Sequence, residues 1–142
     1  MKIDLKLIDD LKTLALSGTH PKVWIASALV YRNKIISYGV NQMKSHPYQS
    51  RYSRNEEAIY WHSETSAIFN ADKKIHFDKF EKSTLYVARV KYESTKKDSF
   101  ISGICMPCDG CIRCIKDYGI KTVIYTIDPI EGSKEHFGIL RL

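Results

Sequence analysis

The sequence has no apolar run approaching the ~18–20 residues that a bilayer-spanning helix needs. That removes helical integral membrane proteins from consideration. Met1-Lys2-Ile3-Asp4 opens polar, and no apolar stretch ending in small residues follows, so a secretory leader is not expected and a cytoplasmic location is. Internal repeats, low-complexity tracts and linker-like stretches are also missing. Residues 1–142 therefore read as one domain, since 142 residues support one real core and are too few for two. Cysteine is absent everywhere except at positions 105, 108, 111 and 114. A disulfide framework would spread its cysteines to close long loops, and a reducing cytosol would keep them as thiols, so the clustering points to metal.

What is present has the profile of an ordinary soluble domain, 44% hydrophobic and 27% charged. Lys plus Arg number 22 against 16 Asp plus Glu, a net charge of +6. Such a balance suits an anionic partner, a nucleotide or a nucleic acid, and is equally compatible with solubility alone.

Ile3, Leu7, Ile8, Leu11, Leu14 and Ala15 recur at helical spacing, so residues 3–17 are expected to form an amphipathic helix stopped by Gly18 and Pro21. Val23–Val30 and Lys34–Val40 are β-favouring runs around Arg32-Asn33, the pattern of an antiparallel hairpin. Residues 41–60 are polar and break the periodicity, which predicts a long loop of functional or mobile character. A helix is expected from His62 to Lys73, a strand from Leu85 to Val90 and a polar connection from Tyr92 to Ser102. Beyond it come a helix from Cys108 to Tyr118 closed by Gly119, a strand from Val123 to Thr126, and a short last one at Phe137–Leu140. This order predicts an α/β fold with one mixed sheet of about five strands covered by helices.

Two fragments carry chemistry. His62-Ser63-Glu64 and Pro107-Cys108-Asp109-Gly110-Cys111 each open a helix. Cysteines at i and i+3 share a helix face, so both sulfurs reach one ion. Pro107 fits a helix start, and the positive helix end favours thiolates. His62 supplies a third ligand, which leaves a fourth position of a tetrahedral zinc for water, as in catalytic rather than structural sites. Zinc brings the pKa of such a water to about 7. Glu64 can take its proton and pass it to a ring nitrogen and then to the leaving amine. H-x-E followed by P-C-x-x-C is the pattern of zinc-dependent base deaminases.

Other readings of these residues exist. The unbroken run Cys105, Cys108, Cys111, Cys114 has the spacing of iron–sulfur ligation, without that pattern's longer last gap and trailing proline. A single helix also cannot aim four ligands from successive turns at one cluster. Cys105 and Cys114 then read as buried small residues, or one of them as the fourth ligand of a closed structural zinc, which would leave Glu64 idle. His20, His46, His76 and His136 show no ligand spacing and read as surface or core residues.

These residues resemble the cytidine/deoxycytidylate deaminase superfamily over about Lys22 to Thr126. His62 to Ile68 is similar to that family's first zinc motif, Met106 to Ile115 to its second, and Ile120 to Tyr125 to the strand that follows. Ile35 to Asn41 resembles the segment ending in Gly-x-Asn, whose asparagine in many members contacts the sugar. The resemblance implies a three-layer α/β/α sandwich, a zinc cofactor, self-association, and Asn41 as a substrate ligand. Ser63 stands where alanine is usual, next to the reacting groups, and is a candidate substrate contact. Ser66 stands where many deoxycytidylate deaminases carry asparagine.

Lys44, Arg51 and Arg54 lie in the polar stretch among Tyr48 and Tyr52. These cations are candidates to hold a 5′-phosphate while an aromatic stacks on the base, or to track a single-stranded nucleic acid. The Ser-Trp-Ser/Thr lead-in of DNA-editing enzymes is absent before Pro107, and Met106 stands where tRNA adenosine deaminases typically have Glu. The expected reaction is therefore hydrolytic deamination of a free cytosine nucleotide, dCMP to dUMP, by attack of zinc-activated water on C4. The alternatives are a deaminase of single-stranded nucleic acid or tRNA, and a non-catalytic zinc-binding module.

Overall fold

The computed structural model describes residues 2–20, 23–53, 60–93, 96–130, 132 and 137–142. Arg54, Pro21 and His136, singled out above, lie outside the described residues. The first helix, α1 (Leu5–Ala15), begins where Asp4 accepts the Leu7 backbone N–H, which satisfies one of the donors a helix start leaves open. Its stripe of Leu7, Ile8, Leu11 and Ala15 is buried.

Strands β1 (Trp24–Tyr31) and β2 (Lys34–Val40) form the expected hairpin. Arg32 and Asn33 both take positive φ, 51° and 63°, the two-residue turn whose twist matches the flanking strands. The sheet continues through β3 (Thr84–Glu93) to β5 (Thr122–Thr126) and β6 (Phe137–Arg141), in the order β2-β1-β3-β5-β6. Among the described residues only the β3–β5 pairing is parallel. The sixth strand is β4 (Lys96–Gly103), which pairs antiparallel with the second half of β3. It replaces the polar connection expected at Tyr92–Ser102. Its polar Lys96-Lys97-Asp98-Ser99 start reads as loop in the sequence, and among the described strands β4 pairs with β3 alone.

Alternation along the strands sorts side chains to two faces. Trp24, Ala26 and Ala28 of β1, with Tyr86, Ala88 and Val90 of β3, pack on α1. Leu29, Leu85, Val87 and Val123 face the other way, onto α3 (Ser63–Asp72) and α4 (Asp109–Asp117). The result is the expected three-layer α/β/α sandwich. None of the described helices is long and apolar enough to cross a membrane.

Gly39 explains how closely α3 lies on β2. A Cβ there would stand 2.4 Å from the Ser63 carbonyl oxygen and 2.6 Å from the Ala67 nitrogen. Gly119 ends α4 at φ 76°, a left-handed C-terminal cap.

The stretch 41–60 differs from the expected loop. It contains a short helix, α2 (Pro47–Tyr52), with Pro47 in its first turn and His46 Nδ1 accepting the Tyr48 N–H. Tyr48, Gln49 and Tyr52 of α2 are buried. The two Tyr side chains belong to the core beside Ala67, Ile68 and Cys114 and cannot stack on a base.

Candidate metal and catalytic site

Backbone pairing delivers His62 to the sheet. Trp61 N–H donates to Lys44 C=O at 3.0 Å, Gln42 N–H donates to Trp61 C=O at 2.9 Å, and Ser45 bridges Tyr60. The chain after residue 60 therefore runs back alongside the end of β2 and enters α3 with His62 as its N-cap. Gln49, fully buried on α2, fixes this junction. Its Oε1 accepts the His62 backbone N–H at 3.1 Å and the Thr65 hydroxyl, while its Nε2 donates to Ser53 Oγ at 2.9 Å. Spacing does not reveal Gln49. The helix-start proline before it and the Tyr48/Tyr52 pair at i,i+4 are the signals that α2 exists.

Cys108 caps α4 as His62 caps α3, so both fragments present ligands at positive helix ends. His62 Nδ1 lies 3.2 Å from Cys111 Sγ and 3.5 Å from Cys108 Sγ. Zn–S of ~2.3 Å and Zn–N of ~2.0–2.1 Å at tetrahedral angles put nitrogen and sulfur about 3.5 Å apart. The donor set thus fits zinc without rearrangement. Among the described residues, His62, Cys108 and Cys111 form the one His/Cys/Asp/Glu group able to hold a metal ion, and no fourth protein ligand joins them.

The thiols share a proton unequally. The hydrogen bond from Cys111, helped by His62 and by the Cys111 backbone N–H, holds Cys108 down to about 3 against the effect of burial. Cys111, fully buried, is pushed well above its usual value by the Cys108 sulfur first and then by burial. Hydrogen bonding to Cys108 raises the His62 imidazole, with burial opposing.

Cys105 and Cys114 are not ligands. The Cys105 thiol is buried against the Val87 carbonyl (3.2 Å) and Thr126 Oγ1 (3.2 Å), and burial lifts it to about 12. Cys114 packs against the Tyr48 hydroxyl at 3.5 Å and is likewise lifted to about 12, mainly by burial. The cysteine run therefore brings two sulfurs to the His62 imidazole and turns the other two away, an arrangement that does not suit a four-cysteine cluster.

A cavity of about 280 Å³ opens beside the ligands, close to the lower end of the usual range for small-molecule sites. Glu64, 5% exposed, is in its wall and adds to the elevation of Cys111 by its charge. Its Oε1 accepts the Ser63 hydroxyl at 2.8 Å. Val23, Ile25, Cys105 and Met106 give the cavity apolar walls. His20, Gln42 and Tyr60 also line it and escaped sequence reasoning because they belong to no motif. His20 Nδ1 accepts the Val23 N–H at 3.0 Å.

The proposed substrate residues separate. Asn41 and Ser63 line the cavity. The Asn41 carboxamide also clamps β1, since Oδ1 accepts the Ile25 N–H and Nδ2 donates to the Val23 carbonyl, both at 2.9 Å. One Asn41 N–H and one lone pair remain for a ligand. Lys44 extends over the Trp61 ring, 5.9 Å from its centroid, outside the cavity wall. Arg51 lines a different depression, with Tyr52, Arg113, Lys116 and Asp117.

Comparison with known proteins agrees with this geometry. The structure is similar to a cytidine deaminase from Burkholderia pseudomallei, with TM-score 0.62 and 16% identity over 99% of this chain and 93% of that one. It is also similar to the dCMP deaminase of cyanophage S-TIM5. The form in complex with dCMP and dUMP gives TM-score 0.58 and 18% identity over 88% of this chain and 82% of that one. Its apo form gives 0.52 and 16% over 88% and 86%. No curated protein sequence matches the chain significantly. The model of the cytidine and deoxycytidylate deaminase zinc-binding region matches residues 1–127, and with its motifs on this sandwich the chain belongs to the cytidine and deoxycytidylate deaminase family.

Proposed function

We propose that the chain hydrolyses the exocyclic amine of a free cytosine nucleotide, converting dCMP to dUMP. The observation that carries this reading is His62 Nδ1 within 3.5 Å of both Cys108 and Cys111 sulfurs, with the Glu64 carboxylate in the wall of the same cavity. Zinc held by these three residues supplies the Lewis acid that makes water nucleophilic at neutral pH. The chain's own residues do the rest. Glu64 accepts a proton from the attacking water and delivers it to N3 as oxygen bonds to C4. It then carries the second proton to the amine, which leaves as ammonia when the C4–N bond breaks. Val23, Ile25 and Met106 offer the base apolar walls.

A free nucleotide is favoured over a polynucleotide by the absence, before Pro107, of the lead-in residues of the nucleic-acid deaminases; burial of Tyr48 and Tyr52 removes two candidate stacking rings and leaves Tyr60 as the exposed aromatic at the cavity. The cyanophage dCMP deaminase, of the same fold, supports the nucleotide reading through its complex with dCMP and dUMP. Asn41 and the Ser63 backbone, whose N–H lies in the open first turn of α3, are the proposed substrate contacts. His20, Gln42 and Tyr60 complete the pocket. Ammonia release from dCMP, CMP, cytidine, deoxycytidine, adenosine and a short single-stranded DNA tests this directly. Protein carrying about one zinc per chain should prefer dCMP. Turnover of the DNA alone, or zinc-loaded protein inert toward every cytosine compound, overturns it.

A further inference from the structure

Ser27 is the polar residue of an otherwise apolar stretch of β1, and it is fully buried. A buried hydroxyl is costly unless hydrogen-bonded. Its partner is Ser63 Oγ at 2.7 Å, and Ser63 is fully buried too. Ser63 in turn donates to Glu64 Oε1 at 2.8 Å. A serine hydroxyl has one proton. With the Ser63 proton directed to the carboxylate, the Ser27–Ser63 contact has one polarity, Ser27 donating and Ser63 accepting. The three groups form a directional chain from the sheet to the carboxylate. Ser63 is also the residue at which this chain departs from the alanine usual between the histidine and glutamate of the resembling family.

We infer that Ser27 and Ser63 are positioning residues that pin Oε1 of Glu64; the carboxylate's other hydrogen bond, with the Cys111 thiol, is given up when that sulfur binds metal as thiolate, which leaves the second oxygen for proton transfer. The inference rests on the deaminase reading for its kinetic consequence and on the 2.7 and 2.8 Å contacts for its structural one. The anchor lies on β1, a central strand of the sheet, so the carboxylate is referenced to the rigid layer rather than to α3 alone. A carboxylate free to rotate about its last side-chain torsion would divide its time among orientations, and only one suits transfer.

The test compares the zinc-loaded full chain with Ser27→Ala, Ser63→Ala, Ser63→Cys and the double alanine variant. Ser63→Ala should lower kcat about tenfold, as loss of one hydrogen bond to a charged group does, with KM for dCMP within about twofold and zinc content unchanged. Ser63→Cys restores the volume with a weaker donor and should track Ser63→Ala rather than wild type. Ser27→Ala should lose less, and the double variant no more than Ser63→Ala, since one chain is being cut at two places. In thermal melts the double variant should lie above Ser63→Ala, because it removes the hydroxyl that the single change orphans.

Wild-type kcat in Ser63→Ala, full kcat in Ser63→Cys, or kinetic losses that add in the double variant would each overturn the relay. If wild type releases no ammonia from any substrate, the deaminase reading fails by itself. Crystal structures of wild type and Ser63→Ala then decide the relay. A rotated or disordered Glu64 carboxylate in the variant upholds it, and an unmoved one ends it.

Discussion

Replacing Gly39 by alanine probes the mechanical link between sheet and site. The added methyl would sit 2.4 Å from the Ser63 carbonyl oxygen, 2.6 Å from the Ala67 nitrogen and 2.9 Å from Ser66 Cβ. Two of these three are backbone atoms of α3, so no side chain can turn aside to make room. Real Cβ contacts essentially never fall under 3.0 Å. The helix start must therefore withdraw by at least 3.0 − 2.4 = 0.6 Å from β2. Overpacking of this kind costs about 1–3 kcal/mol. With ~2.1 cal/mol/K per residue of unfolding entropy, 142 residues lose ~3 °C per kcal/mol, which gives a fall in Tm of about 3–10 °C. The withdrawn segment also carries His62 and Glu64. A misplacement near 1 Å can cost up to ~10²-fold in rate, and a shift of this size should lower kcat about tenfold and weaken zinc retention. Differential scanning calorimetry, zinc titration against a chromogenic chelator and ammonia release measure the three effects. A Gly39→Ala protein that melts within 1 °C of wild type, and retains zinc and rate, would show that α3 does not need this approach.

Glu64→Gln should keep about one zinc per chain and lose on the order of 10²–10⁴ in kcat, and an active variant would remove Glu64 from proton transfer. Chelation should lower Tm and abolish ammonia release, with both recovered on adding zinc, because an ion that binds only the folded state stabilises it by mass action. Metal-free protein treated with a disulfide reagent near neutral pH should show one fast thiol, the exposed and strongly acidified Cys108, and zinc should suppress it. Fast reaction at Cys105 or Cys114 would contradict their burial. Those two thiols also set an alkaline limit. Their folded pKa values near 12 exceed the 9.0 of an unperturbed thiol, so the stability they contribute is fully present below about pH 9 and lost as pH rises toward 12. Urea melts at pH 8 and pH 11 should differ in that direction, and by less when both are changed to alanine.

The parts of the site visible in sequence are those where chemistry is local. Cys108 and Cys111 share one helix start, where the i,i+3 spacing converts to proximity, and His62 and Glu64 share another, the first at its N-cap and the second in its first turn. The amphipathic stripe of α1 and the strand runs at Val23–Val30 and Leu85–Val90 are equally local, and their bounds agree with the structure to within three residues. What escaped depends on partners remote in sequence. The first half of β4 is polar in sequence, and β4 is held to β3 chiefly through its second half, Phe100–Gly103 against Arg89–Tyr92. Gln49 looks like a surface residue of a polar stretch until α2 turns it onto the His62 N–H, 13 positions away. Ser27 looks like a neutral interruption of a strand, and its partner is 36 positions distant. Two of the cations expected to hold phosphate, Lys44 and Arg51, stand outside the cavity wall for the same reason, and Arg54 lies outside the described residues. Composition placed Lys44 and Arg51 near the site, whereas the helical turn of α2 carries Arg51 to the depression beside Arg113.

The donor set and its supports divide their work by layer. The three residues able to hold the metal stand at helix starts, where free N–H groups and dipoles favour thiolate sulfur. Helix ends alone fix position poorly, since terminal turns fray. Each end here is tied to something more rigid. Gln49 Oε1, accepting the His62 N–H and the Thr65 hydroxyl, holds the His62 junction, and Arg113 of α4 donates through Nε to the Tyr52 carbonyl at 2.8 Å, docking that helix on α2. Cys105 N–H donates to Thr126 C=O at 3.2 Å, which holds the segment leading to Cys108 on β5. The three ties reach α2 and the sheet rather than each other. The ligands are thus placed by the fold before any ion arrives, and the metal-free protein should keep His62 Nδ1 near both sulfurs. Loss of that arrangement on removing zinc, seen as disappearance of the His62–cysteine contacts by NMR, would mean that the ion builds the site instead of occupying it.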